Sequence, residues 1–128
     1  MVRNVDFSDD FANHGHQPKL ALRGFLLLLL AEYAAHGYDL IERLEALGID
    51  TQEPAAVYKA LRHMDQERLV SSAWKLSEHG PARRVYSLTP EGRDLLEEWV
   101  LVVRQSRATL DAALERHGRL NGNGRPPH

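Results

Sequence analysis

The sequence predicts a mainly α-helical fold with one small β-hairpin, an α+β class, and three observations predict it. Apolar residues recur at helical spacing from Lys19 to Glu67, and the period shortens to two between Val70 and Leu88. A helical stripe then resumes after Thr89-Pro90. The 128 residues provide one domain plus an additional element.

Pro18 suits a first helical turn, and Lys19 to Ala35 reads as the first helix. Its middle, Phe25-Leu26-Leu27-Leu28-Leu29-Leu30-Ala31, is apolar on every side and must be covered on every side. A second copy of the chain is the expected cover. His36-Gly37 ends this helix, and a second begins near Tyr38, with Leu40, Ile41, Leu44 and Leu47 inward until Gly48 stops it. Asp50 and Thr51 are N-cap candidates for a third helix that starts around Pro54 and runs to about Glu67. Val57, Leu61 and Met64 form its inward stripe. Ala55, Lys59, Arg62 and Gln66 lie opposite, flanked by Tyr58 and His63.

From Leu69, Val70, Trp74 and Leu76 alternate with Ser71, Ala73 and Lys75, the pattern of a half-buried strand. Ser77 to Ala82 reads as a turn, and Arg83 to Leu88 as the returning strand. A turn centred on Gly80 sets Trp74 opposite Tyr86. Thr89-Pro90-Glu91 opens the last helix with a cap, a proline and an acid at the positive end of the helix dipole. Leu95, Leu96, Trp99, Val100, Val102, Val103, Leu110, Ala113 and Leu114 make its stripe too wide for one neighbour, which again implies a partner chain. The chain therefore divides into a flexible arm (1–17), a compact domain (18–89), a long helix (90–117) and a disordered Gly/Asn/Pro tail (118–128).

The net charge of −2 is unevenly spread. Between Gln52 and Tyr86, Lys59, Arg62, Arg68, Lys75, Arg83 and Arg84 outnumber Glu53, Asp65, Glu67 and Glu78. Cysteine is absent, so packing alone holds the fold and the reducing cytoplasm is the expected address. The apolar run is far shorter than the roughly 20 residues that span a bilayer, and Asp6, Asp9 and Asp10 contradict a signal peptide. No membrane partner is expected. His14-Gly15-His16 lacks a regular third ligand, so no metal site is expected. There is no Gly-rich phosphate loop, nucleophile elbow or zinc-hydrolase helix; the expectation is no catalytic residue, no cofactor and no enzyme.

Three helices, a hairpin with arginines near its tip and a long final helix follow the order of a winged helix-turn-helix with a C-terminal dimerisation helix. Over roughly Leu20 to Leu114 the chain resembles the PadR family of bacterial transcriptional regulators. The residues that carry this are Leu27 to Leu30 with His36-Gly37-Tyr38, then Tyr58, Leu61 and Glu67-Arg68-Leu69-Val70. The run from Gly80-Pro81-Ala82-Arg83-Arg84 through Val85-Tyr86-Ser87-Leu88 to Thr89-Pro90-Glu91-Gly92 completes them. Ala34 and Lys59 stand where the family often has proline, so an operator sequence does not carry over from relatives. Phe25 to Leu44 also resembles a subgroup described as polyhydroxybutyrate-responsive repressors.

The resemblance implies a cytoplasmic, nucleoid-associated repressor that binds a palindromic operator in double-stranded DNA as a homodimer and is released by a small-molecule effector. Candidate DNA contacts are Tyr58, Lys59, Arg62 and His63 on the third helix, with Lys75, Arg83 and Arg84 on the wing. Phe25, Trp99 and Val103 are candidates for an effector pocket. Leu26, Leu29, Leu96, Val103, Leu110 and Leu114 are candidates for the dimer interface. The alternative is a protein-interaction winged-helix module with little DNA binding, which the near-neutral net charge favours. The acidic arm before Pro18 either straps a partner or shields the DNA face.

Overall fold

The computed structural model describes residues 19–51 and 53–122. The expected arm with its His14-Gly15-His16, the helix-opening Pro18 and residues 123–128 lie outside the described residues. Among those described, the order is α1 (Lys19–Glu32), β1 (Ala35–His36), α2 (Gly37–Ala46), α3 (Pro54–Gln66), β2 (Val70–Ser77), β3 (Gly80–Leu88) and α4 (Pro90–Gly122). Two compact units divide the chain, one ending at Leu96 and one beginning at Glu97.

The core of the first unit joins Leu22, Leu26, Leu27, Leu29 and Leu30 of α1 to Leu40, Ile41 and Leu44 of α2 and Val57, Leu61 and Met64 of α3. Val70, Tyr86 and Leu96 close it. Each leucine so buried contributes about 1.5–3 kcal/mol of transfer free energy. This packing covers most of the apolar run of α1 within the chain, leaving Phe25 and Leu28 half-buried, and corrects the assignment of three residues to the dimer interface. Leu26, Leu29 and Leu96 keep only 0, 4 and 4% of their surface exposed, so they are not available as dimer contacts. The reason is geometric: α2, α3 and β3 all pack on α1, and the side chains that face them are covered within their own chain.

The first helix stops at Glu32, three residues before the expected end, and Ala35–His36 becomes a short strand instead. Two residues are too few to carry a period. They are extended because β3 offers them a ladder, Ala35 facing Tyr86 and His36 facing Val85. Arg43 of α2 fastens this helix end, where carbonyls lack intrahelical partners. Its Nη2 donates to the Leu29 carbonyl and to Glu32 Oε1, both at 2.7 Å, and its guanidinium lies 3.8 Å from the Tyr33 ring centroid.

The sheet is antiparallel with order β1-β3-β2. Its hairpin turns at Glu78-His79, with Ser77 facing Gly80 and an irregularity between Lys75 and Ser77. That tighter turn displaces the expected register by two residues: Trp74 faces Arg84 and Tyr86 faces Ser72. Pro81, expected in the turn, stands in β3. It is tolerated because β1 is too short to pair with that stretch, leaving an edge where a missing N–H is harmless. The alternation read as half-burial also misleads. Val70 is buried at the hairpin's root, but Trp74 is 64% and Leu76 94% exposed toward the tip.

Neither Asp50 nor Thr51 caps α3: the N-cap is Glu53 without a side-chain bond, and Thr51 Oγ1 donates to Glu45 Oε2 at 2.8 Å. Thr89 does cap α4, its Oγ1 accepting from the Gly92 amide at 3.0 Å while donating to the Arg68 carbonyl at 2.7 Å. The second unit is the remainder of α4. It stays helical through Gly118 to Gly122, where a tail was expected. One glycine costs a helix only about 1 kcal/mol, and Glu115 and Arg119 form an i,i+4 ion pair across it.

Candidate nucleic-acid interface

The hairpin, α3 and the start of α2 enclose a groove of about 600 Å³. Arg62 and Tyr58 enter it from α3, Trp74, Arg83, Arg84 and Tyr86 from the hairpin, and His36, Gly37 and Tyr38 from the β1–α2 junction. Gly37 permits the close approach. A Cβ there would stand 2.3 Å from Tyr58 Cε1, so the tyrosine ring lies directly on the first turn of α2.

Polar contacts fix the hairpin to α3. Ser72 Oγ donates to Asp65 Oδ2 at 2.6 Å, and Arg84 Nε donates to Ser72 Oγ at 3.0 Å. The Arg84 guanidinium also lies 5.3 Å from the Trp74 ring centroid, which holds its plane without neutralising its charge. His36 caps α2, with Nδ1 accepting from the Asp39 amide at 3.3 Å. Its Nε2 lies 3.2 Å from Arg83 Nη1, so the start of α2 and the hairpin meet at this imidazole.

Burial raises the Tyr86 phenol above its ordinary pKa of 10.0, with Arg84 pulling the other way. The Tyr38 phenol is raised by its hydrogen bond to Glu42 and by that carboxylate's charge. Both hydroxyls therefore keep their protons near neutrality. Among the described residues, none of Lys59, Arg62, Lys75, Arg83 and Arg84 has a carboxylate within 4.0 Å. Arg23, Arg43 and Arg119, by contrast, are ion-paired.

The candidate contacts read from the sequence are thus divided. Tyr58, Arg62, Arg83 and Arg84 meet in this groove. Lys59 and His63, one step round α3, line a second groove with Leu22 and Arg23 of α1. Lys75 is exposed on the hairpin, facing Arg83 across the ladder. His36, Tyr38, Trp74 and Tyr86 are groove residues that the sequence reading did not assign to a site; the only signal for the first two was their place in His36-Gly37-Tyr38. Phe25 and Trp99 are half-buried and Val103 is exposed, and neither groove includes any of the three.

Residues 26–98, more than half of the chain, match the family model of the transcriptional regulator PadR-like family. The chain belongs to that family. A probable transcriptional regulator of Mycobacterium tuberculosis (strain ATCC 25618 / H37Rv) is 30% identical over 83 residues, which are 63% of this chain and 44% of the relative. The chain therefore spans less than half the length of the curated relative it matches. A solved PadR-like transcriptional regulator of Bacillus cereus (strain ATCC 14579) superposes with a TM-score of 0.67 at 28% identity, covering 75% of this chain and 93% of that one. The Bacillus subtilis PadR, crystallised in complex with operator DNA, shares the fold with a TM-score of 0.57 at 22% identity, covering 62% of this chain and 46% of that one. The winged-helix fold and the PadR-like membership agree with the sequence reading, and the family is one of transcriptional regulators rather than enzymes. No helix of the described residues is long and apolar enough to cross a membrane.

Proposed function

We propose that this PadR-like chain is a sequence-specific DNA-binding repressor. It acts at the nucleoid as a homodimer on a palindromic operator and, as the family implies, is released by a small-molecule effector. One observation carries the DNA-binding reading: Arg62, Arg83 and Arg84 converge from α3 and the hairpin on one groove, with no carboxylate of the described residues within 4.0 Å to neutralise them. A duplex supplies the missing negative charge. The outward face of α3 enters the major groove, and the hairpin follows the adjacent backbone or minor groove. Val103, Leu110 and Leu114 support the homodimer: they are 41, 38 and 69% exposed on α4, at a spacing that puts them on one stripe.

The test is Arg83→Ala with Arg84→Ala, titrated against DNA from the gene's own promoter at several salt concentrations. Losing two phosphate contacts weakens binding and lowers the slope of log K against log salt by about 2. An unchanged isotherm, with the circular dichroism of the variant intact, refutes the assignment. Footprinting should find two half-sites about 34–36 Å apart; one asymmetric half-site refutes the palindrome.

A further inference from the structure

Among the described residues Leu76 is the most exposed large apolar side chain, with 94% of its surface open, and it has no part in the contacts described above. Side chains alternate along a strand, so Ser72, Trp74 and Leu76 share one face of β2. Ser72 is tied to Asp65 of α3, and Trp74 lines the arginine groove beside Arg84. Leu76 therefore carries that same face outward, toward the turn at Glu78-His79.

The backbone at this end of the hairpin is irregular. Lys75 faces Arg83 and Ser77 faces Gly80, so Leu76 alone stands against two residues, Pro81 and Ala82. An extra residue in one strand bends the ladder, sharpens its twist and re-aims the side chains around it. Pro81 is exposed as well, so the hairpin offers a leucine and a proline to whatever lies beyond it. The charge around them is that of the groove. Lys75 and Arg83 flank the bulge, Arg84 follows, and Glu78, beside His79, is the hairpin's single carboxylate. An apolar tip ringed by cations is complementary to stacked bases between two rows of phosphates.

We propose that Leu76, supported by Pro81, is a wedge that enters the minor groove of the operator and partly unstacks one base step under the hairpin. Lys75 and Arg83 meet the phosphates on either side. This deepens the DNA-binding reading and rests on it. Leucine and proline are among the side chains that kink duplexes in this way, bending them toward the major groove. Unstacking costs least at the flexible pyrimidine–purine steps, TA and CA/TG. The wedge thus adds a sequence preference that needs no hydrogen bond to a base edge.

Leu76→Ala removes the wedge without disturbing a packed residue, so its Tm should match wild type. The probe is a duplex from the gene's own promoter, trimmed to the footprint and carrying a fluorescent donor and acceptor on its ends. In a series of such duplexes, 2-aminopurine replaces each adenine in turn. Wild type should raise 2-aminopurine emission at a step beneath the hairpin and shorten the end-to-end distance. Leu76→Ala should abolish the emission change, reduce the bend and weaken binding about tenfold, the lower end of what one buried leucine is worth. Placing a stiff A-tract at that step should weaken wild type and leave Leu76→Ala nearly unaffected. Leu47→Ala, at a 52% exposed leucine that lines neither groove, should match wild type throughout.

Wild type that binds with no emission change at any adenine overturns the proposal, and so does Leu76→Ala that binds and bends the duplex as wild type does. A lower mass of Leu76→Ala in sedimentation, with its DNA bending intact, also overturns it and assigns the tip to a second copy. If wild type binds no promoter duplex, the DNA-binding reading itself fails and the wedge falls with it.

Discussion

Replacing Gly92 with alanine sets two effects against each other, and their magnitudes decide the sign. By helix propensity alone, Gly→Ala in α4 should stabilise by up to about 1 kcal/mol. The structure opposes this. A Cβ on Gly92 would lie 2.0 Å from the Leu69 carbonyl oxygen and 2.7 Å from Leu88 Cδ1. The first of these is backbone, held where β2 begins, and Thr89 donates to the neighbouring Arg68 carbonyl. The first turn of α4 would have to lift away, and overpacking of this kind costs about 1–3 kcal/mol. The expected net is a loss of about 1–2 kcal/mol, a fall in Tm of roughly 5–10 °C for a small domain. Gly118→Ala is the matched control: same helix, nothing within 4 Å of the added methyl, and hence a gain or no change. Thermal and urea denaturation of both variants provide the assay. A Gly92→Ala protein as stable as wild type, or a Gly118→Ala protein that loses as much, refutes the reasoning.

Arg43→Ala should cost about 2–3 kcal/mol in urea denaturation, because it removes a charge-assisted bond to the Leu29 carbonyl, the Glu32 pair and the Tyr33 stack from a side chain only 13% exposed. A loss below about 0.5 kcal/mol, ordinary for surface changes, would show that the clamp is ornamental. Because burial raises Tyr86 in the folded state, its contribution is complete below about pH 10 and is lost as pH rises through the folded value. The urea midpoint of wild type should thus decline more steeply above about pH 10 than that of Tyr86→Phe; parallel declines would contradict this. Leu110→Glu with Leu114→Glu should yield single chains in sedimentation equilibrium while helicity persists, since both side chains are exposed. A dimer mass retained by the variant removes this stripe from the interface.

The order of elements was legible because each has a local cause. The helical stripes of α2 and α3, the Thr89-Pro90 start of α4 and the two-residue period after Leu69 are all properties of neighbouring residues. Half of the candidate interface was legible for the same reason: the arginines of the hairpin and the outward face of α3 follow from periodicity. The other half was not. Lys59 and Arg62 are three residues apart on one helix, yet they line different grooves, because α1 rises beside one and the hairpin beside the other.

Sequence alone determined which surfaces are greasy and which are cationic, since side-chain character and backbone period are local. Only the tertiary structure decided what covers them. Leu26 and Leu29 are satisfied within the chain because three elements converge on α1, whereas Val103, Leu110 and Leu114 remain exposed. The same convergence made Ala35–His36 a strand, shifted Trp74 onto Arg84 and brought Gly37 against Tyr58. Each depends on residues distant in the chain meeting in space, which no local spacing records.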